Sequence, residues 1–256
     1  MNNLYYIISF FIFGLMFGSF FNVVGLRLST NQSIIYPPSS CPKCGRRLSA
    51  WELIPVISYI ILLGKCHGCK QPISWRYPLF ELLTGFLFAA SYIVFGMTLD
   101  LIIALTFISG LIIIIISDIN SMTIPDEILI VTSLLIIIEL LIGKGYQKAF
   151  IAIGNGLLSF ILMFGIKFFG DALFKRESLG GGDIKLMFLI GLVLHFWLSI
   201  FVIVLGAFMA LPIAILILII KRTNIISFGP FLSLASIIIY LLKINLVTII
   251  NYFIKY

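Results

Sequence analysis

Leu179-Gly180-Gly181-Gly182-Asp183-Ile184-Lys185 sets an acid directly after three glycines, at the mouth of an apolar run that continues to Ile220. An ionisable side chain there is costly, because hydrocarbon penalises a charge that lacks a partner or a task. A second acid ends another such run, Leu111-Ile112-Ile113-Ile114-Ile115-Ile116-Ser117-Asp118. Two carboxylates at two span ends suggest one acid pair, Asp118 with Asp183.

The rest of the composition agrees with a membrane-embedded chain. Hydrophobic residues make up 61% and charged residues 11%, with a mean hydropathy of +1.20, against roughly 45 to 50% and 25% in soluble domains. The expected fold is an all-α polytopic membrane protein. Eight spans are read near 4–22, 78–96, 99–117, 127–143, 149–169, 185–197, 198–220 and 231–252, each near the length a bilayer requires. The sixth and seventh come from splitting one long run at a tight hairpin near His195-Phe196-Trp197, where aromatics suit an interface. The first run lacks the basic start and small-residue cleavage site of a secretory signal, so it is read as a retained span.

Charge sets the expected orientation. Of 17 Lys and Arg residues, only Lys144, Lys148, Lys243 and Lys255 fall on one face if residues 23–77 lie in the cytoplasm. That is the positive-inside pattern, with Asp118 and Asp183 both emerging on the cytoplasmic side. The net charge of +7 is absorbed by this asymmetry, so no nucleic-acid partner is expected; the partner implied is membrane lipid.

Between the first two spans, Cys41-Pro42-Lys43-Cys44 and Cys66-His67-Gly68-Cys69 form two C-x-x-C pairs. Their separation is that of a four-thiolate zinc ribbon, in which each turn offers two sulfurs to one tetrahedral ion. Two disulfides are the competing reading, disfavoured where thiols stay reduced. A closed four-cysteine site implies a structural Zn2+ that folds a segment too short to build its own core.

Glycines at 180, 181 and 182 allow close approach of backbone to Asp183, from a substrate strand or a neighbouring helix. With a second carboxylate alongside, one acid can deprotonate a water while the other protonates the scissile carbonyl oxygen and then the leaving nitrogen. The residues leave open which carboxylate holds the proton. Asp126 and Glu127, after Pro125, read instead as first-turn acids opening the fourth span, with the proline at the first helical position. Glu139 reads as pairing or snorkelling near the outer end of that span, and Asp171 and Glu177 as loop acids.

Taken in order, the motifs resemble the bacterial type IV prepilin peptidases, of the G-x-G-D class of membrane aspartyl proteases. The resemblance rests on Gly18-Ser19-Phe20-Phe21-Asn22-Val23-Val24 with Arg27, the two cysteine pairs, and Arg76-Tyr77-Pro78-Leu79-Phe80-Glu81-Leu82-Leu83-Thr84-Gly85. It continues through Asp118 with Ile124-Pro125-Asp126, Gly180 to Asp183, and Phe228-Gly229-Pro230-Phe231. It implies that Asp118 and Asp183 are catalytic, with Gly180, Gly181 and Gly182 as their loop, and that the substrate is a prepilin or pilin-like protein cut on the cytoplasmic face. Many members then methylate the new N-terminus with S-adenosylmethionine. On that basis methyl transfer belongs to residues 23–81, with Gly64, Arg76 and Glu81 as candidates. The domain division is then a first span (1–22), a zinc-binding block (23–77) and a peptidase domain (78–256). Asn120 departs from the pattern, since relatives often carry an acid there.

A transporter would place ionisable residues at mid-depth, whereas here the acids gather at span ends. A scaffold whose zinc ribbon docks a partner would need no acid pair at all.

Overall fold

The computed structural model describes residues 2–175, 177–221 and 227–244. Arg176, Arg222, Lys255 and residues 245–252 of the last expected span lie outside the described residues. Among those described the fold is all-helical: α1 (Asn2–Leu28), α2 (Ile57–Ile61), α3 (Arg76–Phe95), α4 (Leu99–Ser121), α5 (Asp126–Lys144), α6 (Tyr146–Phe174), α7 (Gly181–Lys221) and α8 (Gly229–Leu241), with a 3-10 turn at Ala50–Leu53. Five of them, α1, α3, α4, α6 and α7, are long and apolar enough to cross a bilayer. The chain is thus a multi-pass membrane protein, with five such helices where eight spans are expected. The fourth expected span is α5, which carries Asp126, Glu127, Glu139 and Lys144. The eighth is α8, 13 residues among those described.

The chain divides into two compact units, one ending at Leu101 and the other beginning at Ile102. In the first, α1 lies against α3 along small residues. A side-chain carbon at Gly14 would come 2.7 Å from Gly85 Cα, and one at Gly18 would come 2.8 Å from Glu81 Cα. A Gly-x-x-x-Gly stripe is how apolar helices approach closely in lipid, where packing rather than water exclusion holds them together.

In the second unit α4 is the core. Phe107, Ile108, Leu111, Ile112, Ile114 and Ile116 are fully buried, as expected of a helix apolar on all sides. Thr132 of α5 packs on Gly110, Thr106 donates to Glu139 of α5 at 2.6 Å, and Phe107 meets Tyr240 of α8 edge-on. Glu139 is therefore held by a hydroxyl between two helices.

The long apolar run 181–221 is broken at one residue, His195, with φ 66° and ψ 160°. Gly191, before the break, and Ser199, after it, both meet the Ser159 hydroxyl of α6. In a straight helix those two positions would lie ~12 Å apart, so the chain reverses sharply where the aromatic stretch suggests. Breaking the helix leaves the Phe196 N–H without a helical acceptor. It donates instead to Asn155 Oδ1 at 3.2 Å, while Asn155 Nδ2 lies 3.2 Å from His195 Nδ1. Asn155→Leu is expected to cost about 1 kcal/mol by orphaning that amide, measurable as a lowered denaturation midpoint in detergent.

Candidate active site

Asp118 lies in the last turn of α4 and Asp183 in the first turn of α7, and both side chains are buried. After Asp118 the chain turns tightly. Met122, at φ 54°, donates its N–H to the Asp118 carbonyl at 2.9 Å, and Ser117 Oγ donates to the Thr123 carbonyl at 2.7 Å. This turn delivers Ile124 and Pro125 to the start of α5, where Pro125 is the N-cap rather than the first helical residue.

Ile124 joins the two acids' surroundings. A carbon added at Gly182 would come within 2.9 Å of Ile124 Cβ, and one added at Gly229 within 3.0 Å of Ile124 Cδ1. The same carbon on Gly229 would collide with Asp118 Oδ2. Asp118 accepts hydrogen bonds from the Ser227 hydroxyl and the Gly229 N–H. Asp183 accepts one from the Gly180 N–H and lies close enough to Asp118 to feel its charge. Beside the pair, Lys185 Nζ bridges both oxygens of Asp126 at 2.8 and 2.7 Å, tying the N-terminal part of α7 to the first turn of α5.

The three glycines are not equivalent. Gly182 is closed by Ile124, a carbon added at Gly180 would come 3.3 Å from Asp183 Oδ2, and a side chain at Gly181 would meet nothing within 4 Å. Two partners escaped the sequence reading. Gly229 was legible only as part of a resembling motif, without a role, and Ser227 carries no local signal. Asn120 is exposed and its side chain donates to the Ile116 carbonyl at 2.6 Å.

The four cysteines, in the other unit, converge. Their sulfurs all lie within 4.8 Å of one another, with Cys41 and Cys69 at 3.8 Å. Tetrahedral Zn–S bonds of about 2.3 Å would separate sulfurs by about 3.8 Å, so the cluster fits a metal ion. Two matching knuckles build it. Cys41 N–H donates to the Arg46 carbonyl and Cys66 N–H to the Gln71 carbonyl, each at 2.9 Å. Gly45 and Lys70 occupy the same left-handed position, at φ 70° and 57°.

The amides of Cys69 and Gly68 point at the Cys66 sulfur and draw its thiol down to about 6, toward the thiolate that a metal requires. Arg46 bonds Glu52 at 2.5 Å and also reaches the Cys66 sulfur. That contact holds the Glu52 carboxyl down at about 2.

Of the remaining candidates, Glu81 is buried on α3. Its Oε2 accepts the Val56 N–H at 2.7 Å, and its carboxylate also bonds the Ser19 hydroxyl. Gly64, at φ 67°, lies against the Tyr59 ring, and its carbonyl accepts the Ile73 N–H at 2.7 Å. Arg76 is exposed at the start of α3.

Fold and site together define a multi-pass membrane protein with a buried acid pair and a separate four-thiol module. Residues 12–95 match the Bacterial Peptidase A24 N-terminal domain, and residues 105–215 match the Type IV leader peptidase family. A prepilin leader peptidase/N-methyltransferase of Bacillus subtilis is 41% identical over 186 residues, 72% of each chain. One from Myxococcus xanthus is 40% identical over 71% of this chain and 54% of its own. One from Aeromonas hydrophila is 29% identical over 88% and 87%. No solved structure matches the chain. The chain belongs to the type IV leader peptidase family.

Gly182→Ala and Gly229→Ala are each expected to destabilise the second unit by about 1 to 3 kcal/mol through overpacking, whereas Gly181→Ala leaves thermal unfolding unchanged. Purified under reducing conditions, the protein is expected to carry a metal ion by elemental analysis, lost in Cys41→Ser or Cys66→Ser.

Proposed function

We propose that this chain removes the leader peptide from prepilins or pilin-like proteins and then methylates the N-terminus it exposes. The observation that carries the peptidase reading is the convergence of Asp118 and Asp183 around Ile124, with the Gly182 and Gly229 backbones packed against the same side chain. Two buried carboxylates of this kind serve as a general base and a general acid. One takes a proton from water as its oxygen attacks the scissile carbonyl carbon. The other protonates the carbonyl oxygen and then the departing nitrogen as the C–N bond breaks. Gly181, with open space over its α-carbon, is where a substrate backbone can approach.

The cut falls on the cytoplasmic face, where a prepilin's basic leader meets its hydrophobic stem. That side is favoured by the distribution of Lys and Arg. The metal held by Cys41, Cys44, Cys66 and Cys69 is a structural Zn2+, since four thiolates leave it no open position. Its work is to fold residues 41–69, not to activate water.

Methyl transfer belongs to residues 23–81, with S-adenosylmethionine supplying the methyl group. Glu81 is the candidate best supported. Its buried carboxylate, fixed by the Val56 amide and Ser19, suits a positively charged group such as a terminal ammonium. Gly64 and Arg76 remain candidates through the family resemblance alone.

Mass spectrometry of a co-expressed prepilin's N-terminus separates these assignments. Asp118→Asn or Asp183→Asn is expected to leave the full leader in place, with loss of activity of about a thousandfold or more. Glu81→Gln is expected to give a trimmed terminus without its methyl group. Retained trimming in both aspartate variants would remove the acid pair from the chemistry.

A further inference from the structure

Residues 54–63, Ile54-Pro55-Val56-Ile57-Ser58-Tyr59-Ile60-Ile61-Leu62-Leu63, join the first knuckle of the cysteine module to the second and present apolar side chains outward. Ile57, Ile60 and Ile61 are exposed on one face of α2, the last two at 64% and 65%, and Leu63 is 83% exposed. An aqueous loop would not keep so many large aliphatic groups uncovered side by side. The segment is also too short to span a bilayer, and a run of 10 to 14 apolar residues suits an interfacial position.

Its anchoring sets its depth. Val56 N–H is bound by Glu81, which lies about 7.5 Å along α3 from Arg76 at 1.5 Å per residue. The backbone of Glu81 in turn lies against Gly18, roughly 15 Å back from the end of α1 by the same rise. The segment is thus tied to the two helices at a level inside both, not beyond their ends. Tyr59, on the other side of α2, faces Gly64 and Ile73, so the aliphatic face is directed away from the module.

The backbone is prepared for a place without water. Ser58, Ile60, Leu62, Leu63 and Gly64 all donate their N–H groups to carbonyls within the segment, and Pro55 has no N–H to satisfy. Hydrocarbon tolerates a short backbone only when its polar groups are paired internally. Lys65, exposed, follows directly and suits the phosphate level.

We propose that residues 54–63 are an interfacial element whose aliphatic face is immersed in the lipid around α1 and α3. The cysteine module is then held at the bilayer surface by this element as well as by its two flanking spans. The occupant is acyl chain, because the anchor lies at span depth and the exposed face is aliphatic with its backbone amides paired internally.

A diazirine analogue of leucine, placed singly at positions 60 and 63 of the full chain, tests this. The control position is Lys43, exposed in a knuckle. The protein is reconstituted in vesicles of phosphatidylethanolamine and phosphatidylglycerol, irradiated and examined by mass spectrometry. Lipid adducts at 60 and 63, absent at 43, are expected. Water insertion at 60 and 63, or cross-links there to protein, whether this chain or a second copy, would overturn the proposal.

Discussion

The carboxylate of Asp118 rests against the backbone of Gly229, and much of the second unit is arranged around that contact. A buried acid is tolerable only if its oxygens are hydrogen-bonded. Here the carboxylate receives a hydroxyl and an amide from residues 227 and 229. Meeting that need draws the start of α8 onto the end of α4, and it forbids a side chain at position 229. Ile124 then fills the remaining space and meets Gly182, which brings the first turn of α7 to the same place. One satisfied carboxylate thus positions its partner.

The same logic separates the two units chemically. In the first, local geometry is set by four sulfurs, with Arg46 and Glu52 completing the polar network around Cys66. In the second, it is set by carboxylates and glycines on long helices. A metal knuckle can fold where the chain has too few residues for a core, whereas the acid pair needs the rigidity of the most buried helix. That division matches the two family models, which meet this chain on either side of residue 100.

Much of the site was legible in the sequence because charge in an apolar chain is conspicuous. Asp118 and Asp183 stood out by position, and the cysteine pairs by spacing. The helical fold followed from hydropathy, and the aromatic stretch at His195-Phe196-Trp197 marked where the long run reverses. Not legible was that Asn155, from another helix, binds the amide freed at that break. Ser227 was illegible for a related reason, since a lone serine acquires its role only from what folds against it. Glu81 was legible as an acid at a span mouth, but not as the anchor of the Val56 amide 25 residues before it. The exposed face of α2 shows that residues 23–77, read from charge as a cytoplasmic block, include a stretch whose surface is apolar.

The central claim is that two aspartates from two helices form one catalytic unit. Comparing cleavage rates of Asp118→Asn, Asp183→Asn and the double variant tests it most directly, because groups acting in one step lose their effects non-additively. The account predicts that the double variant is no slower than either single one. Losses that multiply in the double variant would mean that the two residues act independently, and the single site described here would be wrong.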